Sequence, residues 1–271
     1  MLFPNHLVLI RGGGDIATGV AYRLHKAGFP IIVLELERPL VIRRTVALAT
    51  AVLQGTAQIE ELHAHLAHTF EEALRLTKTG IIPVLVAPQL DNCQLSIDNY
   101  QLTIIDARLA KRNIDTSITQ APLVIALGPG FTAGVDCHAV IETMRGHSLG
   151  RIIWEGAALP NTGTPGIIAG KGKERVMRSP AAGIVSWKLE IGNLVNEGDM
   201  IGDVAGKPVL APFDGILRGL IAPETAVPQG LKIGDIDARQ DIEACFTISD
   251  KALAIGGGVL EAILTKMNQN E

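Results

Sequence analysis

One stretch of this 271-residue chain is written twice. Residues 179–204 align with residues 211–236 at a constant offset of 32, without a gap, and eight positions are identical. Among them are Pro180 and Pro212, Gly183 and Gly215, Val195 and Val227, Gly198 and Gly230, and the triplet Ile201-Gly202-Asp203 against Ile233-Gly234-Asp235. Glycines at matching places mark turns that other residues resist. Two such copies therefore imply two similar β half-units packed about a pseudo-two-fold axis. The flanking region, from about residue 177 to 246, is dense in Gly, Asp, Pro and β-branched residues and reads as a small β sandwich.

Upstream the pattern changes. Apolar runs at residues 7–11, 31–36, 81–86, 102–106, 123–127 and 151–154 alternate with helical patterns, the signature of a Rossmann-like α/β domain with a mostly parallel sheet. The clearest helical pattern is at residues 59–78, where Leu62, Leu66, Phe70 and Leu74 recur every fourth residue. Downstream, residues 249–267 read as one apolar helix carrying Gly256, Gly257 and Gly258, which implies either a break or very close backbone packing. The expected domains are an α/β domain at 1–175, the β sandwich at 176–247, and a C-terminal helix at 248–271 docked on the α/β domain.

Composition narrows the function classes. Apolar residues are 47% of the chain and aromatics only 4%, so the core is built mainly from Ile, Leu, Val and Ala, and intrinsic disorder is excluded. A formal charge of −4 provides no basic field for nucleic acid or anionic lipid. The apolar runs are too short to span a membrane, and the first residues lack a signal-peptide pattern. Cys93, Cys137 and Cys245 are odd in number and scattered, which argues for a reducing, cytoplasmic setting and against a disulfide framework.

Two strand–loop–helix units are candidates for chemistry. Residues 11–19 (RGGGDIATG) follow the first apolar run, and Gly12, Gly14 and Ala17, with Gly13 between, fit a G-x-G-x-x-G/A phosphate-binding fingerprint. Glu35 or Glu37, after the next run, stands where a ribose hydroxyl is usually held. Asp15 sits where a pyrophosphate would meet the helix, and a carboxylate there repels an anion or caps the helix. The plain alternative is a glycine turn that only packs a helix on a sheet.

The second unit is residues 123–134, with Gly128 and Gly130 in its loop, and it is expected to lead into a helix over 136–147. On that helix His138 and Glu142 would lie one turn apart beside Cys137, making these three the catalytic candidates. No second Cys or spaced His completes a metal shell, so no metal site is assigned. Asp106 and Arg108 emerge at the carboxyl edge of the fourth run, followed by Lys111, Arg112 and Asn113. Arg43 and Arg44 form another basic pair; either set suits a phosphate, with surface salt bridging as the alternative. Glu61, His65, His68 and Glu72 share one face of the expected 59–78 helix and read as solvated.

Two resemblances extend this reading. The repeat resembles the half-motifs of lipoyl and biotinyl carrier domains, the barrel-sandwich hybrid fold. Lys207 has no Met beside it and lies too near the second half for a carrier hairpin, so the module is expected to serve packing or docking. The whole chain resembles the YqeB-type family of selenium-dependent molybdenum hydroxylase system proteins. The segments carrying this are 11–19 (RGGGDIATG), 41–52 (VIRRTVALATAV), 106–113 (DARLAKRN), 126–151 (ALGPGFTAGVDCHAVIETMRGHSLGR), 161–166 (NTGTPG) and 230–239 (GLKIGDIDAR). The resemblance implies a role in maturing molybdenum hydroxylases with a labile selenium.

The expectation is a cytoplasmic maturation factor that binds a phosphate-bearing ligand between its two glycine loops. The ligand would be a nucleotide, NAD(P) or a molybdopterin-type dinucleotide, and the protein partner a molybdenum hydroxylase client; self-association is left open. Gly12, Gly14 and Gly130 would let backbone approach phosphate, Glu35 would hold a ribose, and Arg43, Arg44 and Arg108 would supply charge. Cys137, His138 and Glu142 would act on sulfur, selenium or metal. The rivals are an NAD(P)-dependent oxidoreductase, against which Asp15 counts, a non-catalytic scaffold docking the client enzyme, and a zinc hydrolase using His138 and Glu142.

Overall fold

The computed structural model describes residues 1–88, 100–163, 166 and 169–269. Cys93, and residues 164 and 165 of the 161–166 segment, lie outside them. The chain forms two compact units: Met1–Pro39, Ala47–Asn161 and Ile248–Glu271 make the first, Leu40–Val46 and Thr162–Thr247 the second.

The first unit runs β1 (His6–Arg11), α1 (Asp15–Ala27), β2 (Ile31–Glu35), α2 (Thr50–Gln54), β3 (Thr56–Ile59), β4 (Leu62–Ala67), α3 (Phe70–Thr77), β5 (Ile82–Val86), β6 (Gln101–Asp106), β7 (Leu123–Leu127), β8 (Thr132–Ala133), β9 (Ala139–Ile141), β10 (Ile152–Ile153) and β11 (Gly156–Ala157). Nine strands form one sheet in the order β10-β9-β7-β6-β1-β2-β5-β4-β3, and β8 pairs with β11 apart from it. From β9 to β4 neighbours are parallel, while β10 and β3 close the edges antiparallel. The six apolar runs all become strands of this sheet, and β1, β2 and β7 are buried along their whole length. Continuous Val, Ile and Leu suit strands covered on both faces.

The second unit contains β12 (Val176–Arg178), β13 (Gly183–Trp187), β14 (Leu194–Val195), β15 (Met200–Val204), β16 (Lys207–Leu210), β17 (Gly215–Leu220), β18 (Ala226–Val227), β19 (Lys232–Asp237) and α4 (Glu243–Phe246). Its strands form two four-stranded antiparallel sheets, β12-β19-β17-β14 and β16-β15-β13-β18. The repeated sequence maps onto repeated strands: β13, β14 and β15 begin 32 residues before β17, β18 and β19. Segment 40–46 belongs to this unit, where a Cβ on Gly219 would lie 2.8 Å from Ile42.

The architecture corrects the expected Rossmann-like domain plus carrier-type sandwich. The protein is an α/β fold with one large mixed sheet and several antiparallel sheets. No α-helix joins β6 to β7 or β7 to β9 among the described residues, so the sheet is not wound by regular helical crossovers. The expected 59–78 helix is instead a β3–β4 hairpin followed by the short α3. A spacing of four is also a multiple of two, so Leu62 and Leu66 satisfy a strand as well as a helix. Thr69 starts α3, its side chain accepting from Glu72 N while Glu72 Oε2 accepts from His68 N. The expected 136–147 helix is the strand β9 with its flanking turns.

The last element, α5 (Asp250–Asn268), is a continuous helix through all three glycines. A Cβ on Gly256 would strike the Gly19 carbonyl of α1, one on Gly258 would strike the Gly150 carbonyl, and a Cβ on Gly19 would sit 2.5 Å from Ala252. Gly257 faces open space. Two of the three glycines thus exchange helix propensity for backbone contact. Among the described residues no helix is long and apolar enough to cross a membrane.

This difference is measurable. Gly257→Ala should stabilise the protein by about 0.5–1 kcal/mol, the helix-propensity gain. Gly258→Val should destabilise it by at least ~2 kcal/mol, since α5 must move off Gly150. Urea denaturation of the two variants checks both signs.

Candidate functional site

Because β1, β6 and β7 are parallel neighbours, the loops leaving their C-terminal ends share one edge of the sheet. Gly12 turns the chain out of β1 at φ +94°, with its N–H donating to Leu34 O at 2.8 Å. The turn lies so close to the next loop that a Cβ on Gly12 would be 3.1 Å from Arg108 Cα. Gly13 is pinned from the other side, its carbonyl accepting from Ala49 N at 2.9 Å. Gly14 is the extended N-cap of α1 and Asp15 its first residue. The helix carries no side-chain cap, and the N–H groups of Gly14, Ile16 and Ala17 have no acceptor among the described residues.

Glu35, at the end of β2, is 8% exposed and turns toward this loop. Its Oε2 accepts from Gly13 N at 2.8 Å and its Oε1 from Leu36 N at 2.7 Å. Burial raises its pKa, outweighing these two donors. One amide of the first glycine loop is thus already held by a carboxylate of the protein itself.

Between the two loops lies a polar network. Arg11 donates to Asp115 Oδ2 at 2.7 Å and to Thr116 Oγ1 at 3.2 Å. Arg108 donates to Asp106 at 2.5 Å and pairs with Asp115 at 2.7 Å, while Thr116 Oγ1 donates to Asp106 at 2.6 Å. Burial works to raise the Asp115 carboxyl, but the hydrogen bonds and charges of Arg11 and Arg108 prevail and hold it below the usual range. Arg108 and Asp106 are therefore spent on each other and on Asp115 and Thr116. Arg11, which sequence reading did not single out, is a principal tie of the network.

The second loop differs from its expected role. Gly128 N donates to Ile141 O, Thr132 N to Asp136 Oδ2 and Gly134 N to Cys137 O, so these amides are satisfied within the loop and β9. Gly130, at φ +107°, allows contact instead: a Cβ there would be 2.6 Å from Arg112 Cα.

The helical premise for Cys137, His138 and Glu142 fails with the helix. His138 and Glu142 flank the strand β9, roughly 13 Å apart along an extended chain. His138 Nδ1 accepts from Val124 N at 3.0 Å, and burial, then Lys266, lower its pKa. Glu142 accepts from Met144 N at 2.7 Å and Leu159 N at 2.8 Å. Cys137 is fully buried, and burial followed by the Asp136 charge pushes its thiol up to about 12. Such a thiol is no nucleophile at neutral pH.

Arg43 and Arg44 belong to the second unit. Arg43 donates to Ala244 O at 2.8 Å and Arg44 to Leu220 O at 2.7 Å, so both tether backbone. Among the described residues no three His, Cys, Asp or Glu side chains group to hold a metal ion.

Two lysines lie near the first glycine loop. Leu109 and Lys111 have φ of +52° and +62°, in the left-handed region that costs other residues than glycine roughly 1 kcal/mol each. This strained loop abuts both glycine loops, Gly12 at Arg108 and Gly130 at Arg112. Lys251 lies in the first turn of α5, beside Ala252, which packs on α1. Burial, then Lys111 and Arg145, lower the Lys251 pKa against the opposing fields of Asp15 and Glu142. Burial likewise lowers that of Lys111. Neither lysine has a hydrogen bond or ion pair with a described residue. The signal for Lys251 was in the sequence: a cation just after the Ser249 cap opposes the helix dipole.

No family model matches the chain. It is 51% identical over 274 residues to the uncharacterized protein YqeB of Escherichia coli (strain K12), a match covering 99% of this chain and 50% of that protein. The chain thus spans about half the length of this curated relative. Among solved structures, it is similar to an aspartoacylase family protein from Mesorhizobium loti, at 10% identity over 86% of this chain and 84% of that one, with a TM-score of 0.26. The ectoine utilization protein EutE (DoeB) from Ruegeria pomeroyi matches at 12% identity over 85% and 57%, with a TM-score of 0.22. Scores this low transfer neither topology nor activity.

Two outcomes follow from the buried groups. Cys137 should resist iodoacetamide at pH 8 in the native protein and react once urea unfolds it, as peptide mass mapping would record. For Glu35, a raised folded pKa means the folded state favours the neutral acid. Its stability contribution is therefore greatest at low pH and lost as pH rises from the ordinary carboxylate value, about 4.3, through the raised one. Urea-unfolding free energies of wild type relative to Glu35→Gln should fall across that window; a flat difference would contradict the assignment.

Proposed function

We propose that this chain is an accessory factor for maturing a selenium-dependent molybdenum hydroxylase, and that it binds a phosphate-bearing ligand at the carboxyl edge of its large sheet. The family side of the reading is supported by the resemblance in the quoted segments and by the close similarity to YqeB. The ligand side rests on one observation: the first turn of α1 presents the amides of Gly14, Ile16 and Ala17 without acceptors. Backbone donors at a positive helix end suit an anion. The donor set fits a nucleotide or the phosphate of a pterin cofactor, with Gly14 and the following amides as donors and Lys111 and Lys251 as nearby charge.

Glu35 has a narrower role than first expected. With both oxygens engaged by Gly13 and Leu36, it shapes the loop and leaves the amides beyond Gly13 to the ligand.

Isothermal titration of the purified chain with AMP, NAD and molybdopterin dinucleotide tests the ligand reading. Gly14 has φ −69°, which aspartate adopts freely, and Asp is a good N-cap, so Gly14→Asp should fold. Its carboxylate would occupy the amides. Binding of at least one probe by wild type, weakened tenfold or more in Gly14→Asp, is the expected result; unchanged binding would place the site elsewhere.

A further inference from the structure

A second concavity lies at the other end of the same strands. Where β1 and β6 begin, a cavity of about 450 Å³ is lined by Phe3, Asn5, His6, Tyr100, Gln101 and Met267, with Pro4 beside them. The six residues of β1 separate this amino edge from the glycine loops by roughly 20 Å. The two sites are therefore distinct, and this one does not depend on the reading of the other.

The wall of the cavity is aromatic and fixed. Phe3 stacks on Phe29 with ring centroids 4.2 Å apart and planes 17° from parallel, and His6 meets Phe29 edge-on at 5.4 Å. The polar groups are carboxamides and an imidazole. Asn5 and Gln101 are held together through their backbones, Gln101 N donating to Asn5 O at 2.8 Å. His6 is 7% exposed, and its Nε2 meets Thr103 Oγ1 at 2.8 Å inside the sheet. Its Nδ1 is buried without a hydrogen bond, although the Gln101 side chain is close enough to favour the protonated ring. Burial is the larger influence and lowers the ring's pKa. Buried polar atoms are rarely left unmatched, so an orphaned nitrogen in the wall of a cavity marks a place for a ligand atom. Among the described lining residues none carries a fixed charge.

We propose that this cavity binds an uncharged planar heterocycle with an amide-like edge, the nucleobase class, stacked against Phe3 and Tyr100 and hydrogen-bonded by Asn5, Gln101 and His6 Nδ1. Aromatic faces supply stacking that any flat ring accepts, while carboxamides pair a donor with an acceptor and so select a ring whose edge does the same.

The test titrates the full chain with guanosine, adenosine and uridine, with cyclohexanol as the apolar control, followed by calorimetry and by the ¹⁵N imidazole resonances of His6. At least one nucleoside should bind and shift the His6 Nδ1 resonance, and cyclohexanol should do neither. His6→Phe keeps a ring and removes both nitrogens; it and Gln101→Leu should each weaken binding at least tenfold, while Gly14→Asp leaves it unchanged. No binding of any nucleoside at millimolar concentration overturns the proposal, as does undiminished binding in His6→Phe. Should His6→Phe fail to fold, an unmoved Nδ1 resonance in the wild type overturns it equally.

Discussion

The contact on which the first unit depends is backbone against backbone. Gly19, Gly256, Gly258 and Gly150 let α5 lie closer to α1 and to the loop after β9 than any side chain would permit. The approach sets direction as well as distance. Ala252 sits on Gly19, one turn from the start of α1, so both helices begin at the carboxyl edge of the sheet. A segment from the far end of the chain thereby brings Lys251 into the electrostatic reach of Lys111, Asp15 and Glu142.

At that edge the chain satisfies most of its own polar groups. Asp106, Asp115, Thr116, Arg11 and Arg108 answer one another, Glu142 holds two backbone amides, and Glu35 holds two more. Such networks are costly when partly matched and rigid when complete. Among the described residues there, what remains unmatched is small and localised, namely the amides of Gly14, Ile16 and Ala17 and the two lysines.

The sequence was legible where one physical signal dominated. Runs of Val, Ile and Leu found the strands, because short runs rich in β-branched residues suit strands covered on both faces. The repeat found matched strands in the second unit, since equal spacing of glycines and apolar residues constrains pairing. The hairpin at β3–β4 was misread because helix and strand share a period of four, and the capping pair Thr69 and Glu72, which separates them, is a weaker mark than four leucine-like positions. For residues 136–147, polar flanks hid a three-residue strand whose β-branched Val140 and Ile141 were outnumbered. Arg43 and Arg44 were legible as a basic pair, but their acceptors at Ala244 and Leu220 lie 201 and 176 positions away. Partners that distant leave no local trace.

The pairing within the second unit interlocks its two halves. β13 bonds to β15 of its own half but also to β18 of the other, and β17 bonds to β19 and also to β14. Each half lends its middle strand to its twin. A lone half would leave that strand without a mate, so neither half completes its sheets until the other has folded beside it.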